Sequence, residues 1–419
     1  MLRDGNEFHF GVSEVIGEFR KMKKRLLILG AGRGQIELYK ASNEMGITTI
    51  AGTMPDNNPP CISMANEVCY MNIANPDEVK EKAKKLNLDG VATCCLDTGI
   101  VALGKTCDSL NLIGLNEKSA ILCNDKSKMK KSFEENNVKT AKYYEISNEC
   151  ELNEALEKIH LPVIIKATDL QGSRGIYISR TKEAAIKGFR EAMSLTKRNY
   201  CIIEEYIEGL EFGAQAFVYN EDVLFVMPHG DNTYMSHTAV PIGHYVPFEC
   251  SDDIYFQIDM AVRKAIKAVG LNNCAVNADL ILKDNKVYMI EITGRVGANC
   301  LPELVGINYG IEYYKMIAAM AVGDDPLNYW NKRNNIETAG LAKMIISTEK
   351  SGIIKNLTYR HDNDADVLDV TFFKHKGDMI CKFTDSNDCI GQVVVKGQNM
   401  TYCEKKAQEV LSKIIIDVE

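Results

Sequence analysis

Two acidic residues lie in a segment whose pattern predicts a β-hairpin: Asp279 in the run Cys274–Leu282 and Glu291 in the run Lys286–Ile292. If the turn holds an odd number of residues, such as Asp284–Lys286, the two side chains are directly opposite, with Cβ atoms roughly 5 Å apart. Like charges at that distance repel unless a cation lies between them, and Mg²⁺ prefers carboxylate and phosphate oxygens. Their apolar neighbours disfavour the alternative of an exposed acidic pair. We therefore predict a magnesium site completed by a nucleotide phosphate.

A lysine, Lys166, ends the apolar run Pro162–Thr168, and the polar loop Asp169–Gly175 follows it. A lysine is costly to bury unless it meets an anion. A loop with Gly172, Ser173 and Gly175 can fold its backbone N–H groups over phosphates. Arg174 could add a forked contact to the same phosphates. The alternative is a solvated hairpin loop beside an edge lysine.

The acid-rich segment Glu204–Glu211 begins within the predicted strand Tyr200–Ile207 and continues beyond it. Backbone groups of such a hinge could contact a purine base, and a carboxylate could accept two ribose hydroxyls. The alternative is a solvated charge run.

Further along, Arg295 and Asn299 lie just beyond the acidic hairpin. A fixed arginine there could hold a carboxylate and stabilise a developing oxyanion.

The first predicted strand, Arg25–Gly30, leads into the glycine loop Gly30–Gly34. A glycine loop of this kind can bind phosphate at the N-terminus of the following helix. NAD binding is disfavoured, because Gln35 occupies a position that the dinucleotide motif gives to Gly or Ala. The second strand also ends at Gly52 without the acidic residue that binds the ribose. Two alternatives stay open: a tight turn without a ligand, or a site for an acceptor substrate at Gly32.

The elements that position these residues alternate between apolar strands and amphipathic helices up to about residue 118. This alternation predicts an α/β fold that begins with a small doubly wound domain. The chain has 419 residues, 25% charged and 46% hydrophobic, with a net charge of -8. That charge argues against a broad nucleic-acid-binding face. No apolar run is long enough to span a membrane.

The 14 cysteines include no CxxC pair, and most have apolar neighbours. Buried free thiols are the favoured interpretation, and they suggest a reducing compartment and a cytoplasmic location. Residues 1–24 form an N-terminal extension without the features of a signal peptide. We expect either a mispredicted start, with Met22 the true one, or a short docking helix.

The order of these elements resembles the ATP-grasp enzymes over the chain from about residue 25. The layout is similar to biotin carboxylase, glycinamide ribonucleotide synthetase and the amino-acid ligases, and biotin carboxylase also has the twelve-residue interval from Asp279 to Glu291. The residues that carry the resemblance are Asp125-Lys126, Lys166, the 169–175 loop, Glu204–Glu211, Asp279 and Glu291–Arg295. The resemblance implies a pre-ATP-grasp α/β domain (25–118), an ATP-grasp domain (119–338) with a mobile lid at about 140–205, and a β-rich C-terminal domain (339–419).

The resemblance also implies roles for individual residues. ATP phosphates would contact Lys126, Lys166, Ser173 and Gly175, and adenosine would contact Glu204, Glu205, Ile207 and Glu211. Asp279 and Glu291 would bind magnesium or manganese, and Arg174 and Arg295 would be catalytic. Thr293 replaces the Asn that the family usually has. A hydroxyl is a poorer ligand than an amide oxygen, so one magnesium ion would be held less tightly, or Asn277 or Asn299 would help.

The function implied is an ATP-dependent ligase that joins a small-molecule carboxylate to an amine through an acyl-phosphate. Two alternatives stay open: a carboxylase that uses carboxyphosphate, which bicarbonate-dependent ADP release would reveal, and a nucleotide sensor without turnover. We expect no nucleic-acid or membrane partner, and a homodimer is compatible with the resemblance.

The segment Met227–Pro247 holds three of the seven histidines, His229, His237 and His244. Their spacing is too irregular for a clear metal site, and an exposed loop is the alternative. Imidazoles can donate to a carboxylate or accept a proton from an amine. We expect His229 or His237, together with Arg295, to hold the carboxylate substrate or its acyl-phosphate. Asn299 is a further candidate for contact with the substrate.

Overall fold

The structure is a computed structural model that describes residues 23–55, 59–170, 174–235, 239–360, 363–385 and 388–419. Residues 1–22, Ser173 and His237 lie outside the described residues, and so do the predictions made for them. Within the described ranges, every helix is too short or too polar to cross a lipid bilayer.

The N-terminal part of the chain forms a four-stranded parallel sheet with helices between its strands. The strands are β1 (Arg25–Leu29), β2 (Thr48–Thr53), β3 (Glu67–Tyr70) and β4 (Gly90–Ala92), and the helices are α1 (Ile36–Glu44), α2 (Pro76–Ala83) and α3 (Ile100–Leu110). The strand order is β3-β2-β1-β4. The predicted strand Gly90–Leu96 ends early, at Ala92, because the Thr93 hydroxyl bonds to the Leu29 carbonyl and Cys95 has a φ of 57°. Residues 93–99 therefore form a loop at the carboxyl edge of the sheet.

A second sheet has an apolar core of its own. Helices α4 (Glu117–Cys123) and α5 (Lys126–Glu135) precede it, and it contains β5 (Tyr143–Ile146), β6 (Val163–Ala167), β7 (Ile176–Ser179) and β8 (Cys201–Glu205) with α6 (Glu149–Lys158) and α7 (Lys182–Leu195). The strands are antiparallel in the order β5-β8-β6-β7. Leu152, Ile165 and Phe189 are among the residues of its core. This is the region of the predicted lid, and its mobility stays a prediction.

The central sheet has eight strands. They are β9 (Leu210–Tyr219), β10 (Asp222–Met235), β11 (Ala239–Val246), β12 (Cys274–Lys283), β13 (Lys286–Thr293), β14 (Ala339–Ile345), β16 (Val367–Phe372) and β18 (Gly391–Gly397). Their order is β13-β12-β9-β10-β11-β14-β18-β16. Because β11 pairs with β14, the predicted boundary between residues 338 and 339 falls within one continuous sheet. The division into domains stays a prediction.

The remaining elements surround the central sheet. They are α8 (Asp252–Val269), α9 (Leu301–Tyr309), α10 (Tyr313–Ala321), α11 (Leu327–Trp330), β15 (Gly352–Tyr359), β17 (Met379–Ile380), α12 (Met400–Ser412) and β19 (Ile414–Val418). The last three-stranded sheet has the order β17-β15-β19. Two large apolar cores join the central sheet to the N-terminal sheet. Leu27 and Val276 lie in one of them, and Leu26 and Phe217 lie in the other.

Candidate active site

Asp279 and Glu291 are opposite each other in the register of β12 and β13. The turn between the strands has two residues, Asp284 and Asn285, with φ values of 49° and 56°. Asn and Asp tolerate this left-handed geometry better than most residues with a side chain. The odd-numbered turn, on which the direct pairing was conditional, is therefore absent from this hairpin. A β-bulge between Asp279 and Leu280 shifts the register and brings the two carboxylates face to face.

Lys126, the first residue of α5, lies beside this carboxylate pair. Its Nζ is 3.2 Å from Glu291 Oε2 and donates to the Leu170 carbonyl at 2.9 Å. The positive charge of Lys126 holds the pKa of Glu291 below its usual value. Burial, and then repulsion from Glu291, raises the pKa of Asp279 well above its usual value. Two apposed carboxylates, one of them hard to ionise, fit a divalent cation that takes oxygen ligands.

A buried cluster of charges lies on the lid side of the site. Glu204 at the end of β8 is 2.8 Å from Lys130 Nζ and 3.2 Å from Lys166 Nζ. All three side chains are buried. Burial raises the pKa of Glu204, but the attraction of the two lysines outweighs it and leaves this pKa below its usual value. The structure thus joins the predicted Lys166 and Glu204 directly, and it adds Lys130, which the sequence analysis missed.

Arg295 is paired with Asp97, a residue of the 93–99 loop that the sequence analysis also missed. The guanidinium donates to both carboxylate oxygens, from Nε at 2.7 Å and from Nη2, and Nη1 donates to the Val296 carbonyl at 3.1 Å. An arginine has five N–H donors. Among the described residues, the other two N–H groups of Arg295 have no protein acceptor, so they could donate to a substrate oxygen. Asp97 could have been suspected from its position, because it follows a buried parallel strand at its carboxyl end, where open α/β sheets bind ligands.

The predicted metal ligand Thr293 has protein contacts of its own. The two proposed supporting ligands, Asn277 and Asn299, lie nearby in the chain. The Thr293 hydroxyl donates to Asp97 Oδ1 at 3.2 Å. Asn277, opposite Thr293 in the sheet, donates through Nδ2 to Asp279 Oδ1 at 3.2 Å. Asn277 therefore supports a predicted ligand instead of facing the cation with its own oxygen. Asn299 lies in the following loop with a left-handed φ of 54°, and its substrate contact stays a prediction.

The predicted histidine segment is a pair of strands and not an exposed loop. His229 in β10 is opposite Gly213, which is itself opposite Asp279, so one face of the sheet carries Glu291, Asp279, Gly213 and His229 in a row. A Cβ on Gly213 would lie 2.4 Å from the His229 ring. The glycine therefore makes room for the imidazole next to the carboxylate pair.

Both ring nitrogens of the buried His229 contact protein groups. Nδ1 is 3.0 Å from Asp231 Oδ1, and Nε2 is 3.2 Å from the Gln215 amide nitrogen. His244 Nδ1 reaches the same Asp231 oxygen at 2.6 Å. The two distances from Asp231 Oδ1 to the histidine Nδ1 atoms are hydrogen-bond distances. Two nitrogen or oxygen ligands of a tetrahedral zinc ion would be roughly 3.3 Å apart. Protein partners thus occupy both ring nitrogens of His229. Its contact with substrate stays a prediction.

Gln35 closes the first glycine loop, and the second is described only at Asp169, Leu170, Arg174 and Gly175. The Gly32 N–H donates to Gln35 Oε1 at 3.0 Å, and Gln35 Nε2 donates to the Cys94 carbonyl at 2.7 Å. Gln35 therefore closes the first turn in place of the Gly or Ala of a dinucleotide site. Gly175 has a φ of 67°, and a Cβ there would lie 2.9 Å from the Ala167 Cβ. Arg174 is exposed on the turn between β6 and β7. The substrate role of Gly32 and the phosphate roles of Gly175 and Arg174 stay predictions.

The residues predicted to contact adenosine lie along one path from β8 to β9. The Glu205 N–H donates to the Lys142 carbonyl at 2.9 Å. Ile207 is buried, and Glu211 is exposed near the start of β9, two positions before Gly213. Their contacts with adenine and ribose stay predictions.

Two family models match the chain. Residues 124–297 match the model described as phosphoribosylglycinamide synthetase, ATP-grasp (A) domain, and residues 344–419 match L-amino acid ligase C-terminal domain 2. Among curated proteins, alanine–anticapsin ligase of Bacillus subtilis is 25% identical over 263 residues, which cover 58% of this chain and 55% of that protein. The chain thus spans about half the length of the curated relatives it matches.

Solved structures match the chain over nearly all of its length. Phosphoribosylglycinamide synthetase from Anaerococcus prevotii is 61% identical, with a TM-score of 0.85 and coverage of 95% of this chain and 100% of that chain. L-amino acid ligase from Bacillus licheniformis is 16% identical and shares the fold, with a TM-score of 0.79 and coverage of 95% and 99%. On these matches, the chain belongs to the ATP-grasp family of ligases.

Proposed function

We propose that this chain is an ATP-dependent carboxylate–amine ligase that forms an acyl-phosphate and releases ADP and phosphate. The observation that carries the proposal is the register of the central sheet, which sets Asp279 opposite Glu291, beside Lys126. Arg295, with two N–H donors left over, follows a few residues after Glu291. Phosphoryl transfer depends mainly on positioning and charge neutralisation, which is what these groups can provide.

In the proposed reaction, the γ-phosphoryl group moves from ATP to an oxygen of the substrate carboxylate. The amine nitrogen then attacks the acyl carbon, and inorganic phosphate leaves. Lys126 and Lys166 neutralise phosphate charge, and Arg295 donates to the oxyanion of the tetrahedral intermediate. Asp279 and Glu291 would hold magnesium or manganese, which neutralises phosphate charge when bound. Closure of the predicted lid would keep water from the acyl-phosphate.

The names of the relatives favour an amino acid as the carboxylate donor, because they include L-amino acid ligase, alanine–anticapsin ligase and phosphoribosylglycinamide synthetase. We propose that the acceptor is also an amino acid and not a phosphoribosyl amine. In the glycine loop, the N–H groups of Gly30, Gly32 and Gln35 are all bonded within the protein, which leaves fewer donors for a phosphate. The match of residues 344–419 to an L-amino acid ligase model supports the same acceptor.

The test is a panel of substrates with ADP release and product mass as readouts. Pairs of L-amino acids, glycine with a phosphoribosyl amine, and bicarbonate with either are supplied with ATP and Mg²⁺. The proposal predicts ADP release that requires two amino acids together and a product of the dipeptide mass. Release that depends on bicarbonate would indicate the carboxylase, and release only with the phosphoribosyl amine would contradict the acceptor. A protein that binds ATP but never turns over would be the sensor.

The homodimer and the cytoplasmic location stay predictions.

A further inference from the structure

Gln215 lies at the centre of a buried polar network beside the proposed cation site. Its side chain is in the middle of β9 and is fully buried. Oε1 accepts the Gly297 N–H at 2.9 Å, and Nε2 donates to Asn277 Oδ1 at 2.7 Å and lies 3.2 Å from His229 Nε2. One amide thus contacts three separate parts of the fold.

The Gly297 contact fixes the orientation of this amide. A main-chain N–H can only donate, so the side-chain atom that receives it must be the oxygen of Gln215. The other end is then the NH₂ group, with one hydrogen for Asn277 and one for His229. His229 Nε2 must therefore carry a lone pair, and the ring proton is on Nδ1, which donates to Asp231.

The same reasoning orients the neighbouring asparagine. Because Asn277 Oδ1 accepts from Gln215, its NH₂ group is directed to Asp279, where it donates to Oδ1 at 3.2 Å. Asp279 is thereby held in place by a donor. If Gln215 could not donate, the Asn277 amide would turn over. Its oxygen would then face the Asp279 carboxylate oxygen.

We propose that Gln215 is a positioning residue that links the 294–299 loop to the carboxylate Asp279 and to the His229 ring. One main-chain N–H of the loop that carries Arg295 sets both orientations through this amide. The inference rests on the proposed function only in that Asp279 is taken as a cation ligand. Groups that orient a metal ligand typically change affinity or activity by about 10–100-fold when they are removed.

The substitution Gln215→Glu tests this role, because it keeps the size and the acceptor for Gly297 but removes both donors. In the ligand-free protein, ¹⁵N NMR of the imidazoles should show the His229 proton moved from Nδ1 to Nε2, or a second proton on the ring. The Mg²⁺ concentration for half-maximal activity, or for binding in the presence of ADP, should rise by about tenfold. The KM for ATP at saturating Mg²⁺ should change little.

Gln257→Glu is the matched control, since Gln257 contacts the turn of the same hairpin at Asn285 and lies outside the network. It should leave the NMR signals and the Mg²⁺ requirement unchanged. If the buried charge prevents folding of the first variant, Gln215→Met removes the same donors without a charge and should raise the Mg²⁺ requirement similarly.

An unchanged His229 tautomer in Gln215→Glu would overturn the network, and a changed tautomer with an unchanged Mg²⁺ requirement would overturn the positioning role. Both readouts can be obtained without turnover. A protein that ligates no substrate would therefore contradict the proposed function and not this inference.

Discussion

At the residue scale, buried charges of opposite sign form two clusters in the proposed active site. In one cluster Glu204 is within ion-pair distance of both Lys130 and Lys166, which leaves one positive charge in excess, and in the other Lys126 faces Glu291. Each buried charge is tolerated because an opposite charge is within ion-pair distance. The carboxylate of Asp279 has an amide and another carboxylate as neighbours, which leaves it in need of a cation.

Substitution of the two carboxylates should therefore separate catalysis from folding. Glu291→Gln should abolish ligase activity while circular dichroism stays unchanged, and Asp279→Asn should raise the Mg²⁺ requirement. Asp284→Asn, in the exposed turn of the same hairpin, is the control and should behave like the parent. Unaltered Mg²⁺ dependence in both site variants would show that the hairpin is not the cation site.

The buried His229 should make the stability of the protein sensitive to acid. Burial lowers the pKa of His229 below 6.5, despite the attraction of Asp231. Below about pH 6.5 the unfolded chain then binds a proton that the folded protein does not. Stability is consequently lost as the pH falls from that value, by up to about 1.4 kcal/mol per pH unit.

Chemical denaturation at about pH 7.5 and about pH 5.5 measures this loss. It should be smaller in His229→Gln than in the parent. His375→Gln is the control, because the His375 side chain is 77% exposed, and it should retain the parent's pH dependence. Equal losses in the parent and His229→Gln would mean that His229 takes up its proton over the same pH range in the folded and unfolded states.

The residues found from the sequence share a local signal. Lys126, Lys166, Asp279 and Glu291 each stand at the end of an element or among apolar neighbours, where a charge requires a reason. Asp97, Lys130 and Gln215 were missed because only tertiary contacts reveal their partners. In sequence, Gln215 is one polar residue in an otherwise ordinary strand.

At the element scale, the β-bulge in the β12–β13 hairpin and the absence of a side chain at Gly213 create the row of site residues. The bulge could not be predicted from the sequence pattern. The apolar runs of β12 and β13 are the same whether or not one extra residue interrupts their pairing. The pairing of Asp279 with Glu291 was expected only for an odd-numbered turn, and in the structure the bulge provides it instead. The strand character of the histidine segment was also missed, since two of its polar residues, His229 and His244, are buried.

Substitution of Gly213 tests whether the row depends on this space. Gly213→Ala places a Cβ 2.4 Å from the His229 ring, so the ring or the strand must move, at a cost of about 1–3 kcal/mol. His229→Ala in the same chain removes the clash. In a double-mutant cycle, Gly213→Ala should therefore cost less free energy of unfolding in the His229→Ala background. Additive effects would indicate that the two groups are not in contact.

At the scale of the whole molecule, the Asp97–Arg295 pair joins the loop at the carboxyl edge of the N-terminal sheet to the loop that follows strand β13 of the central sheet. Asp97→Asn should lower kcat more than the KM for ATP changes, because Arg295 loses the carboxylate that aligns it. Asp89→Asn is the control, because Asp89 is exposed and accepts from the Arg25 N–H at the far end of β1. Equal kcat values for the parent and Asp97→Asn would exclude this alignment.

The overall architecture was more accessible to prediction than the way its parts are joined. The parallel N-terminal sheet and the β12–β13 hairpin follow from local periodicity. The pairing of β11 with β14 connects segments nearly one hundred residues apart and extends the central sheet into the C-terminal region. No local pattern specifies such a pairing, so the sequence analysis treated the C-terminal strands as separate.

The central claim is that a substrate carboxylate becomes an acyl-phosphate, and the transfer of ¹⁸O tests it most directly. L-amino acids labelled with ¹⁸O in the carboxylate are incubated with ATP, Mg²⁺ and the enzyme, and the released phosphate is analysed by mass spectrometry. The account predicts that each phosphate carries one oxygen from the amino acid, because the acyl carbon–oxygen bond breaks when the amine attacks. Phosphate that is released together with ligated product but contains no ¹⁸O would contradict the account.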